Sequence, residues 1–218
     1  MEKKDTQEKE ISLKEIRKDF YELRNFEISN LWQRSIFLSA LLVLFFTGYG
    51  YLIIKLVEND IKKINYLLIH QICCVITLFA IIFSIIWIMM AKGSKAWFEV
   101  YERRILEIEK ENELKIPQDY RMGSDCTPWD LDSNLLSNKA GAYSVSKINI
   151  LIGQFLMIMW IILFLIHYIW SIVFSYKNSY CNVIDIIIFT LLPIFLLFIL
   201  ITAFCNIWAK SNSLTKPK

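Results

Sequence analysis

Tyr66-Leu67-Leu68-Ile69-His70-Gln71-Ile72-Cys73-Cys74-Val75-Ile76-Thr77-Leu78-Phe79-Ala80-Ile81-Ile82-Phe83-Ser84-Ile85-Ile86-Trp87-Ile88-Met89-Met90-Ala91 is a run of 26 residues without a charged side chain. It passes into Lys92-Gly93-Ser94-Lys95-Ala96-Trp97-Phe98-Glu99-Val100-Tyr101-Glu102-Arg103-Arg104-Ile105-Leu106-Glu107-Ile108-Glu109, and no proline interrupts it before Pro117. As one helix reaching about Leu114, it would be ~70 Å long at ~1.5 Å per residue. A bilayer core takes up about 30 Å of that length. The expectation is a rigid rod, half in lipid and half carrying a water-facing layer, with Gly93 at the junction as a hinge.

Three more apolar runs, 36–57, 148–174 and 183–208, hold at most one charged residue each. A membrane span needs about 20 apolar residues, and none of the runs alternates as a soluble amphipathic helix does. The fold class expected is all-α, a four-span transmembrane protein with cytoplasmic helical extensions. The first run follows 35 highly charged residues, too late for a cleaved signal peptide, and is read as a retained span. Of 24 Lys and Arg, 20 fall in 1–35, 92–147 and the tail after Trp208, which places those segments and both termini in the cytoplasm. The organisation is then a cytoplasmic N-terminal segment 1–35, a transmembrane hairpin 36–91, a cytoplasmic extension and loop 92–147, a second hairpin 148–208 and a tail 209–218.

Ser12-Leu13-Lys14-Glu15 has the form of a capping box. Behind it Leu13, Ile16, Phe20 and Leu23 form an apolar stripe on a helix of 12–30. Trp97, Tyr101, Ile105 and Ile108 form a second stripe on the cytoplasmic half of the rod, with Glu99 and Arg103 spaced to pair on its flank. This stripe requires a protein cover, from the first stripe or from another copy of the chain. Glu102 lies beside it and Arg104 within it, between Tyr101 and Ile105, either in ion pairs within or between subunits or solvated. Trp32 and Arg34 suit the lipid headgroup region, and Gly48-Tyr49-Gly50 thins the first span. Residues 115–147 lose the helical period.

The net charge of +3 argues against nucleic acid. Five cysteines show neither metal spacing nor a paired framework and are read as small apolar fillers. The polar groups inside the spans are His70, Gln71, Gln154, His167 and Asp185. His70, His167 and Asp185 sit at compatible depths near the outer leaflet, where a His–Asp pair relays protons or senses pH; alternatively each lies at an interface and meets water. Two histidines and one acid do not make a metal centre or a nucleophile with its base. No enzyme, cofactor or metal is expected.

The segment Ala91 to Glu102, followed by Ile105 and Glu109, resembles the stretch after the second span of RipA-like octameric bacterial inner-membrane proteins. Ser144-Val145-Ser146-Lys147-Ile148-Asn149 is similar to that group as well. The resemblance implies a protein of the cytoplasmic membrane that assembles as a ring of like copies, with eight the number implied, and serves adaptation to a host cell's interior. Its partners are then the lipid bilayer and itself. The expected function is a non-enzymatic scaffold or regulator with a cytoplasmic helical collar; the alternative is an oligomeric channel or pore-forming effector gated by a cytoplasmic signal.

Overall fold

The computed structural model describes residues 12–57, 63–122, 131–132, 134, 137, 140–141 and 143–178. Among them the chain is all-helical, with three long helices: α1 (Leu13–Val57), α2 (Lys63–Glu109) and α3 (Val145–Asn178). All three are long and apolar enough to cross a membrane. The fourth expected span, 183–208, with Asp185, lies outside the described residues.

Helix α1 starts where the capping box places it. The Ser12 amide donates to Glu15 Oε2 and the Glu15 amide donates to Ser12 Oγ, each at 3.3 Å. It then runs unbroken across the expected boundary at 35, because nothing between Asn30 and Ile36 breaks a helix. Helix α2 likewise passes through Gly93 without a break. Its last turn tightens through bonds from the Lys110 and Glu111 amides to the Glu107 and Ile108 carbonyls. Two single 3-10 turns follow, Asn112–Leu114 and Gln118–Tyr120, separated by Lys115 in the left-handed region (φ 46°) and by Pro117. Gly141 is required where it stands: a Cβ there would lie 2.8 Å from the Asp132 carbonyl. At the start of α3, the Ile148 amide reaches the Ser144 carbonyl at 3.0 Å.

The chain divides into two compact units, Met1–Phe37 with Trp87–Ile152 and Leu38–Ile86 with Gly153–Lys218. In the first, Leu31, Trp87, Ala91, Ser94, Ile105, Glu109, Ser146 and Asn149 are buried. The second departs from the usual sorting of side chains by burying many polar groups and exposing many apolar ones. Its interior mixes large apolar side chains, Leu38 and Leu42 of α1, Ile81 of α2 and Trp160 and Phe164 of α3, with small and polar ones, His70, Cys73, Thr77, Ala80 and Ser84 of α2 and His167, Ser171 and Ser175 of α3. Its outside is large and apolar, with Val43, Leu44, Phe79, Phe155, Ile158 and Ile162 all exposed. Water would penalise such a surface, whereas lipid and neighbouring helices suit it. The Thr77 and Ser84 hydroxyls donate to carbonyls of their own helix, Cys73 at 2.9 Å and Ala80 at 2.8 Å, as an apolar surrounding demands. Cys73 and Cys74 are free thiols.

Candidate functional site

The first unit is fastened by carboxylates. Glu109, at the end of α2, has a fully buried side chain surrounded by donors. Arg17 reaches its Oε1 through Nε at 2.7 Å and Nη2 at 2.6 Å, and the Tyr21 hydroxyl donates to the same oxygen at 3.0 Å. The Met122 amide donates to Oε2 at 2.5 Å. A buried carboxylate is tolerated only when charge and lone pairs are matched in this way. One group thus ties α1, α2 and the segment after α2. Burial and then the carboxylate bond raise the Tyr21 pKa above its ordinary value. Burial opposes the charge on Arg17, but the bonds and attraction of Glu109 outweigh it, and the pKa of Arg17 rises.

Two turns further along α1 and two turns back along α2, Arg24 grips Glu102 Oε1 through Nε at 2.9 Å and Nη2 at 2.8 Å. A neutral chain closes the other end of the unit. The Trp87 indole donates to Asn149 Oδ1 at 2.6 Å, Asn149 Nδ2 donates to Ser35 Oγ at 2.7 Å, and the Ser35 hydroxyl donates to the Leu31 carbonyl at 2.7 Å. Arg34, assigned to headgroups by its position, donates to Ser94 Oγ at 3.2 Å.

The two predicted stripes come together in part. Phe20 and Tyr101 lie with ring centroids 6.2 Å apart, and Tyr101 stacks on Trp97 at 5.9 Å. Ile105 is fully buried; Leu13, Ile16, Phe20, Trp97 and Tyr101 are partly covered. Leu23 is not drawn in and stays 44% exposed, beside Phe26 at 61%. Arg104 is exposed and holds Glu107 at 2.7 Å, one turn along its own helix. Glu99 turns back to Lys95 rather than on to Arg103.

The second unit holds the two histidines, and they meet. Their Nδ1 atoms are 2.8 Å apart, both rings being almost wholly buried, and the Tyr49 hydroxyl lies 3.0 Å from His167 Nε2. Tyr66 packs edge-on against His70 at 4.8 Å, and Trp170 stacks at 6.4 Å. Tyr49 is also edge-on to Trp160 at 5.8 Å. His70 Nε2 has no hydrogen-bond partner among the described residues. A buried group so placed costs on the order of 1–3 kcal/mol. Gln154 is half-buried. Sequence reasoning missed Tyr49, whose glycine neighbours drew attention to helix approach instead, and the role of Glu109, which has the look of one more solvated charge. Its helical register with Glu102 and Ile105, seven and four positions earlier, was the available signal.

Among the described residues there is no group of three or more metal-ligating side chains. A family model described as "Octameric membrane protein family (8xMP)" matches residues 14–170, well over half of the chain. Comparisons with curated proteins and with solved structures find no significant match.

Proposed function

The chain belongs to the octameric membrane protein family, and from that premise we propose that it is a non-enzymatic scaffold or regulator of a bacterial cytoplasmic membrane. Four spans anchor it, both termini are cytoplasmic, and the first unit of each copy contributes to a cytoplasmic helical collar. The role assigned to the ring is support of growth inside a host cell, as the RipA-like resemblance implies.

The single observation that carries the collar is the Glu109 clamp. It fixes the ends of α1 and α2 as one body within a copy, so that a neighbour meets a preorganised surface and ordering costs little at assembly. Trp97, Tyr101, Ile105, Ile16 and Phe20 are occupied in building that body. Leu23 and Phe26, exposed one turn apart on α1, are apolar groups free for an adjacent copy. Mass photometry of the protein in lipid nanodiscs tests this. Changing Leu23 and Phe26 together to Ser is expected to release smaller species, and an undiminished assembly would reject this surface. Ion current through planar bilayers containing the wild-type protein would transfer the assignment to a channel.

A further inference from the structure

Tyr49, His167 and His70 form one hydrogen-bonded chain with contributions from all three helices, and the chain has two internally consistent polarities. In one, Tyr49 O–H donates to His167 Nε2, His167 Nδ1–H donates to His70 Nδ1, and His70 carries its proton on Nε2. The His70 Nε2–H is then a buried donor without an acceptor among the described residues. In the other, His70 Nδ1–H donates to His167 Nδ1 and His167 Nε2–H donates to the Tyr49 oxygen. His70 Nε2 is then a bare lone pair, buried and without a partner among the described residues.

We propose that this chain is a membrane-embedded site that binds one proton, taken up at His70 Nε2. Adding the proton there makes His70 an imidazolium. Its Nδ1 proton then crosses the 2.8 Å gap to His167 Nδ1. His70 is left neutral with its proton on Nε2, and His167 becomes the imidazolium, still donating from Nε2 to Tyr49. The charge is thereby spread over two rings and a phenol oxygen in a low-dielectric interior, where such chains are strongest. A second proton is excluded, because two Nδ1–H groups would face each other across the same gap. Among the described residues, the titratable groups around the pair are Tyr49 of α1 and Tyr66 of α2, with Cys73 one turn from His70; no charged side chain bonds to either ring. Intramembrane ionisable groups without structural ion pairs are commonly functional. The ligand here is the proton itself.

The test is nitrogen NMR of the full-length protein, with 15N-labelled histidine, in lipid nanodiscs titrated from about pH 8 to about pH 4. The expected result is a through-hydrogen-bond coupling between the two Nδ1 atoms and uptake of one proton per chain, with both histidines shifting together. Independent titration of the two rings with two protons, or no uptake over the whole range, would overturn the proposal. Tyr49→Phe, which leaves both rings in place, is expected to keep the single-proton uptake while releasing His167 Nε2 from its bond. Unchanged Nε2 shifts in that variant would equally contradict the chain.

Discussion

Replacing Glu109 by Gln exposes the logic of the clamp, because every partner of that carboxylate is a donor. Arg17 and Tyr21 point at Oε1, and the Met122 amide points at Oε2. A side-chain amide has one accepting end, so either orientation sets an NH2 group against an N–H. Breaking a buried ion pair costs roughly 3–5 kcal/mol, but Arg17 is 34% exposed and recovers part of its hydration. The expected loss is therefore about 2–4 kcal/mol, borne locally by the Met122 amide and the adjoining turns. At a tenfold change per ~1.4 kcal/mol, hydrogen exchange at Met122 should accelerate roughly 30- to 700-fold. Mass-spectrometric exchange on the nanodisc-embedded protein measures it directly. Unchanged protection between residues 110 and 122 in Glu109→Gln would refute the clamp.

Other outcomes follow from the same geometry. Raising the pH through and above the ordinary tyrosine range should weaken the first unit, since Tyr21 is held in its protonated form with a raised pKa; that contribution is intact below the unfolded-state value and lost as pH climbs through the folded one. Tyr21→Phe should flatten the alkaline limb of thermal melting. Asn149→Leu strands the buried Trp87 indole and should cost about 1–3 kcal/mol, visible as a shifted Trp emission and a lower melting temperature. Glu102→Gln should cost about 1–2 kcal/mol, less than Glu109→Gln, because Glu102 keeps 31% of its side chain exposed whereas Glu109 keeps none, and exchanging Arg24 and Glu102 should restore most of it.

The membrane character was legible from composition alone, since long uncharged runs have no soluble counterpart. The start of α1 was legible too, because Ser12 and Glu15 satisfy free amides by a purely local rule. The unity of α1 across residues 30–36 was less so: the change from charged to apolar composition at 36 marks a change of surroundings, and no backbone signal accompanies it. Glu109 was legible only as part of the family-like segment; its role as a clamp was not, because its partners Arg17 and Tyr21 are about ninety positions away and only tertiary packing brings them together. Depth matching set His70 and His167 at one level, but nothing in spacing distinguishes a shared hydrogen bond from two interfacial rings. Asp185, the acid that one of the two readings paired with a histidine, lies outside the described residues.

Native mass spectrometry of the wild-type protein released from lipid nanodiscs addresses the central claim most directly. A membrane ring of like copies predicts a dominant species at eight times the chain mass of 25.8 kDa. A population made up only of single chains or pairs, at every lipid composition tried, would contradict it.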